Sequence, residues 1–443
     1  MKIILVLGAG RSAHSLIEYL LTRAEEGQWK VRVGDHSLAL AREKCRDHRH
    51  AETFQFDILD ETQRQQEIAG ADIVISMLPA RFHPLVAELC VEHGVNMVTA
   101  SYVSPEMKAL DREARNKGVI LLNECGLDPG IDHMSAMKVI DKIRENGADL
   151  TAFETFTGGL LAPVADDNPW EYKFTWNPRN VVLAGQGIVK FIQENTYKYI
   201  PYHKLFRRTE QVYIPEYGYF EGYANRDSLK YLDVYGLRGI KTIYRGTFRR
   251  PGFCRAWDIF VQLGATDDTY EMEGVDEMTH RDFINSFLSY NPHDSVELKL
   301  AHYMGLDIEG PEMHRLRWAG IFDQTPIGLD KGTPAQVLEH ILKKKWTLSE
   351  DDRDMIVMWH KFEYVENGKE REINSTLVAI GDDAVNTAMS KTVGLPVGIA
   401  TRLILEGKIS EKGVQIPIQK GIYDPILTEL SGLGFEMMEE QRK

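Results

Sequence analysis

Lys2-Ile3-Ile4-Leu5-Val6-Leu7-Gly8-Ala9-Gly10-Arg11-Ser12-Ala13, followed by an amphipathic stretch and a second apolar run ending in Val31-Arg32-Val33-Gly34-Asp35, decides the fold. The apolar run before Gly8 predicts a strand buried in a parallel sheet. Gly8 permits a tight turn, and Gly10 allows the backbone to approach a pyrophosphate. Ala13 stands where a third glycine usually sits and is small enough for helix–strand packing. Ala13, Leu16, Ile17, Leu20 and Leu21 recur at helical spacing, so the first amides of that helix face an anion at the turn. Asp35 ends the second strand with a carboxylate able to accept ribose hydroxyls. Strand, turn, helix, strand and acid in register predict a dinucleotide site, and an oxidoreductase as the first functional hypothesis.

Working outward, apolar runs near 3–7, 31–34, 53–56, 72–78, 95–100 and 119–123 alternate with helical patterns at 37–47, 84–93 and 105–117. Six strands with crossover helices predict an α/β fold, a doubly wound parallel Rossmann sheet whose crevice lies beyond the strand C-termini. Cofactor contacts are therefore expected from Gly8, Gly10, Arg11, Ser12, Ala13, Asp35, His36, Asp57, Ile58, Leu78, Ser101 and Trp176. Residues 150–250 change character, rich in Tyr, Trp, Gly and Thr with short β-like runs. The expected division is 1–128 with 385–443 as the dinucleotide domain with a C-terminal return. Residues 129–254 with 351–384 form an α+β substrate and dimerisation domain, and 255–350 a small helical subdomain.

A length of 443 residues suits two or three domains, and a net charge of −14 argues against nucleic acid or an anionic membrane as partner. No stretch approaches a membrane span, and Met1 leads into the first strand without a cleavable leader, so a cytoplasmic location is expected. Four cysteines (Cys45, Cys90, Cys125, Cys254) lack metal or redox spacing, which predicts free thiols and no metal site.

Several longer segments carry a family resemblance. They are Thr99-Ala100-Ser101-Tyr102-Val103-Ser104-Pro105, Asn123-Glu124-Cys125-Gly126-Leu127-Asp128-Pro129-Gly130-Ile131-Asp132-His133-Met134, and a stretch over 158–169. Tyr172-Lys173-Phe174-Thr175-Trp176, Asn225-Arg226-Asp227-Ser228, Arg245-Gly246-Thr247-Phe248-Arg249 and Met389-Ser390-Lys391-Thr392-Val393-Gly394-Leu395-Pro396 complete the set. In this order along the whole chain they resemble the L-glutamate-forming saccharopine dehydrogenase (saccharopine reductase) family. The resemblance implies NAD(P)-dependent oxidation of saccharopine to L-glutamate and 2-aminoadipate 6-semialdehyde through an imine, or the reverse reductive condensation, in lysine metabolism.

The resemblance also implies substrate contacts from Ser101, Tyr102, Asp128, Arg226, Thr247, Phe248 and Arg249. A substrate with three carboxylates needs cations, preferably the planar fork of Arg, and this acidic chain groups Arg226, Arg245, Arg249, Arg250 and Arg255 in its middle part. Asp128 leads as the proton carrier, and Tyr102 is placed to relay. Lys173 serves as a base only if burial lowers its pKa; a surface or carboxylate-pairing role is the favoured reading. Thr157 stands where relatives carry a cysteine and cannot supply a thiolate; Leu161 replaces a proline. Asp35 would repel a 2′-phosphate, which favours NAD over NADP, with His36 leaving dual use open. His83 and His133 read as structural or capping groups.

Two other readings stay open. One is an imine-reducing dehydrogenase of carboxynorspermidine or homospermidine type, which would want acidic residues in the crevice. The other is a non-catalytic NAD-binding regulatory protein, which would carry a degraded substrate domain. A homodimer is a further open option.

Overall fold

Lys2–Leu7 lies at the centre of a seven-stranded sheet, paired in parallel with Trp29–Asp35 on one side and Ile73–Ser76 on the other. The computed structural model describes residues 1–163 and 168–442; part of the 158–169 stretch therefore lies outside the described residues. Across the sheet the order is Gly413–Gln415, Ile120–Leu122, Asn96–Val98, Ile73–Ser76, Lys2–Leu7, Trp29–Asp35, Ala51–Gln55. Every pairing is parallel, and the strand order reverses beside Lys2–Leu7, which opens a crevice at the strand C-termini. The edge strand Gly413–Gln415 was not expected, because three residues are too few to show a period.

The helix Ala388–Leu405 covers this sheet's first helix, His14–Thr22, at close range. A Cβ on Gly394 would lie 2.8 Å from the Leu16 nitrogen and 3.2 Å from the Ser12 carbonyl oxygen. The Ser15 amide donates to the Ser390 hydroxyl at 3.1 Å.

The second sheet has nine strands, built around Asp149–Leu161. That strand pairs in parallel with Thr242–Arg249 and antiparallel with Asp354–Glu366. One face turns to the Rossmann layer. The other shares an apolar core with the helices Phe253–Leu263 and Pro334–Trp346, where Trp170, Trp257, Trp346, Phe156 and Phe248 are all buried. The division drawn from sequence placed all of 385–443 with the first sheet. The structure corrects it: Met438–Arg442 pairs antiparallel with Lys369–Ile380 at the edge of the second sheet. This strand is exposed throughout and carries charge at alternate and adjacent positions, so it has no apolar alternation to betray it.

Candidate active site

The turn after the first strand fits a dinucleotide. Gly8 has φ +102°, and a Cβ there would meet the Met77 carbonyl oxygen at 2.8 Å, so only glycine closes this turn. Gly10 faces open space, with no atom within 4 Å of where its Cβ would stand, the room a pyrophosphate requires. Asp35 fixes the turn: its carboxylate accepts the Ala9 amide at 2.7 Å and the Ser37 amide at 2.8 Å. Arg11 donates to the Phe174 carbonyl at 3.2 Å, tying the turn to the second half of the chain. Ser12 is half-buried, and Ala13 is buried beneath the turn. His36 and Asp57 are exposed at the strand ends, with Asp57 engaged in a local turn to the Leu59 amide at 2.9 Å. Ile58 is buried, while Leu78 and Trp176 are half-buried.

Ser101 and Tyr102 follow the strand Asn96–Val98. The Ser101 hydroxyl meets His83 Nε2 at 2.7 Å, and His83 Nδ1 meets the Ser76 hydroxyl at 2.8 Å. Burial pushes the His83 imidazole down to about 4, so a neutral ring holds Ser101. The Tyr102 hydroxyl donates to Asp128 Oδ1 at 3.1 Å. The same oxygen receives Arg245 Nη2 at 2.8 Å, and that nitrogen also reaches Asp132 Oδ2 at 2.7 Å. Asp132 in turn accepts the Gly130 amide at 2.6 Å. Arg245 lies 4.1 Å from the centre of the Tyr231 ring, and Arg226 lies 4.9 Å from that of Tyr102.

Burial raises the Asp128 carboxyl above the ordinary range although Arg245 opposes the shift. Burial and the neighbouring Asp128 raise the Tyr102 phenol well above its own. Burial works against charge on Arg245, but Asp128 and its other neighbours hold the guanidinium protonated. The result is a carboxyl able to carry a proton beside a neutral phenol and a fixed cation.

Facing this cluster, the second sheet presents rows of side chains across its strands. His360, Thr155 and Arg245 form one row; Met358, Thr157, Thr247 and Tyr223 form the next. Arg249, two residues beyond Thr247 on the same face, lies 4.8 Å from the Tyr172 ring centre and 5.2 Å from that of Phe253. Among the described residues, Thr157 Oγ1, Arg245 Nε and Arg249 Nε are buried without a hydrogen-bond partner. Unpartnered donors of this kind are costly unless a ligand's oxygens meet them.

Two expected site residues take other roles. Phe248 points to the opposite face, stacked on Phe156 at 5.2 Å and fully buried, because neighbours along a strand alternate faces. Lys173 pairs with Asp352 at 2.7 Å, the carboxylate-pairing role that the sequence favoured over a base. Sequence reasoning gave no role to Asp132 or Glu124, held Arg245 only as one of five grouped arginines, and read His133 as a structural or capping group. The four-residue spacing of Asp128 and Asp132 across the start of the helix Ile131–Glu145 is a signal that ties Asp132 to Asp128.

Two family models match the chain: the saccharopine dehydrogenase NADP binding domain over residues 4–122 and the saccharopine dehydrogenase C-terminal domain over 126–435. The chain belongs to the saccharopine dehydrogenase family. The Schizosaccharomyces pombe saccharopine dehydrogenase, designated NADP(+), L-glutamate-forming, is 31% identical over 99% of both chains. The apo Saccharomyces cerevisiae saccharopine dehydrogenase (L-Glu forming) superposes with a TM-score of 0.90 at 30% identity, covering 100% of each chain. The mitochondrial alpha-aminoadipic semialdehyde synthase of Bos taurus is 32% identical over 98% of this chain but only 47% of its own length. The protein is thus a nicotinamide-dinucleotide oxidoreductase of the saccharopine dehydrogenase family. Among the described residues, no helix is long and apolar enough to cross a membrane and no cluster of His, Cys, Asp and Glu could hold a metal.

Proposed function

We propose that this chain oxidises saccharopine to L-glutamate and 2-aminoadipate 6-semialdehyde, or runs the reverse reductive condensation. The observation that carries the reading is the half-buried Tyr102–Asp128 pair on the buried Arg245 at the strand C-termini, together with Thr157 Oγ1 and Arg249 Nε, which are buried without a partner among the described residues. The turn formed by Gly8 and Gly10 would hold the pyrophosphate of a bound dinucleotide, whose nicotinamide would supply the acceptor for hydride from the carbon bearing the secondary amine. Every proton that follows belongs to the protein. Asp128, raised by burial, takes a proton from the water that adds to the imine and returns one to the departing amine of glutamate. Tyr102 hydrogen-bonds the same carboxyl and connects it to the crevice. Thr157 cannot ionise, which leaves this traffic to the Asp128–Tyr102 pair. Arg249 and Arg226 supply cations for carboxylates, a charge pattern that disfavours a polyamine substrate.

The fungal relatives are designated for NADP(+), whereas Asp35 here supports NAD. Its carboxylate is spent on the turn through Ala9 and Ser37, yet its charge stays at the rim where a 2′-phosphate would lie. The test is initial-rate absorbance at 340 nm with saccharopine and either dinucleotide. Asp35→Asn, whose single carbonyl oxygen can keep one of the two amide hydrogen bonds, and Asp35→Ala run alongside. Saccharopine-dependent reduction with NAD preferred, and that preference relaxed in both variants, is expected. No turnover with either dinucleotide overturns the saccharopine reading; equal use of both by the native protein overturns the NAD assignment.

A further inference from the structure

Tyr102 is flanked on both sides by groups that one residue holds. The Glu124 amide donates to the Ser101 carbonyl at 3.0 Å, and Glu124 Oε1 accepts the Val103 amide at 3.0 Å. To reach both, Glu124 adopts φ +55°, a left-handed conformation that costs a non-glycine residue about 1–3 kcal/mol. It does so while buried, at 7% exposure.

A second layer fixes the clasp. Glu124 Oε2 meets His133 Nε2 at 2.8 Å, and His133 Nδ1 meets the Tyr235 hydroxyl at 2.5 Å. Burial opposes charge on His133, but Asp132 and Glu124 outweigh it and raise the imidazole above its ordinary value. Tyr235 stacks on Tyr231 with ring centres 5.3 Å apart, and Tyr231 carries the Arg245 guanidinium on its face. Asp132, 3.9 Å from His133, joins both layers.

We propose that Glu124 is a positioning residue for the reaction: clasping Ser101 and Val103, it sets the Tyr102 hydroxyl on Asp128, with His133 bracing its free oxygen. The inference rests on the saccharopine reading for the identity of the reaction, and on geometry alone for the clasp. It accounts for a strained, buried carboxylate engaged with the backbone on both sides of Tyr102. A backbone held at two points around one side chain fixes that side chain's origin. Misplacing a reacting group by about 1 Å costs on the order of 100-fold in rate.

The test is a double-mutant cycle in the 340 nm assay on the full chain, using Glu124→Ala, Tyr102→Phe and the pair, with Glu124→Gln as the conservative variant. Dinucleotide affinity is followed by fluorescence, and amide exchange over residues 101–103 by mass spectrometry. Glu124→Ala is expected to lower kcat about 100-fold, to leave dinucleotide affinity within about 2-fold, and to speed exchange at Val103. Glu124→Gln, whose carbonyl still accepts the Val103 amide, restores most of kcat. Tyr102→Phe adds little once Glu124 is gone. Independent losses that multiply, or an unchanged kcat in a variant that merely melts earlier, overturn the proposal. Should Glu124→Ala fail to fold, Glu124→Asp, which keeps the charge and withdraws the oxygens, enters the same cycle. A native chain that does not turn over saccharopine removes the functional reading instead, and native-rate exchange at Val103 in the Glu124 variants then removes the clasp.

Discussion

Replacing Arg245 with methionine leaves two buried carboxylates without their shared cation. Arg245 exposes 5% of its side chain, and Asp128 and Asp132 expose 16% and 2%. Two unit charges at about 4 Å already attract by ~4 kcal/mol at an effective dielectric of 20. The net cost of breaking a buried pair by removing one partner is about 3–5 kcal/mol, because an uncompensated charge stays behind. That charge can be discharged by a proton. The Asp128 carboxyl already titrates above its ordinary value, burial outweighing Arg245, and losing Arg245 moves it further up. A carboxyl whose pKa is higher folded than unfolded stabilises the fold at low pH, and this contribution is lost as pH rises from the unfolded value toward the folded one. Arg245→Met should therefore lose about 3–5 kcal/mol at pH 8 and less at pH 5. Urea titrations of native and variant protein at the two pH values, followed by tryptophan fluorescence, measure the difference. An equal loss at both pH values refutes the reasoning, since it means that packing rather than uncompensated charge sets the cost.

Other expectations follow from single contacts. Thr157→Val replaces a buried hydroxyl that has no partner among the described residues, so stability should hold or rise slightly while the KM for substrate increases; a large drop in melting temperature argues against this. Gly394→Ala pushes a methyl against the Leu16 nitrogen and Ser12 carbonyl, costing about 1–3 kcal/mol and weakening dinucleotide binding measured by fluorescence titration. His83 and His360, pushed down to about 4 and about 3 by burial, take up protons in the unfolded chain first. Stability should thus fall as pH drops from about 6.5 through these values, and His83→Asn should flatten the profile of melting temperature against pH.

The Rossmann layer was legible because its signals are local: the run 2–7, the Gly8–Gly10 turn and the acid at 35 all sit within one βαβ unit. The second sheet was legible only in outline, since its register joins strands as distant as Asp149–Leu161 and Asp354–Glu366. Tyr102 and Asp128 could be named from strand ends and family motifs. Arg245 could not be singled out from its neighbouring arginines, because its role depends on which face of Thr242–Arg249 turns to the crevice. The same alternation removed Phe248 from the site. For Lys173 a carboxylate partner could be anticipated as a class, but not its identity, because Asp352 arrives from about 180 residues away, beyond any local pattern. Glu124 could be placed at a strand end but not given its role, since a left-handed backbone on a glutamate runs against residue preference.

The late covering of the first layer bears on how the chain is made. The ribosome releases Ile120–Leu122 about 270 residues ahead of Ala388–Leu405, a gap of roughly 13–50 s at 5–20 residues per second. Throughout that interval Leu16, Ile17 and Leu20, fully buried in the finished protein, lack the helix that closes over them. The dinucleotide layer thus begins before the second sheet and gains its covering helix only after most of that sheet has been made, so its nascent surface is the one that holding chaperones would meet.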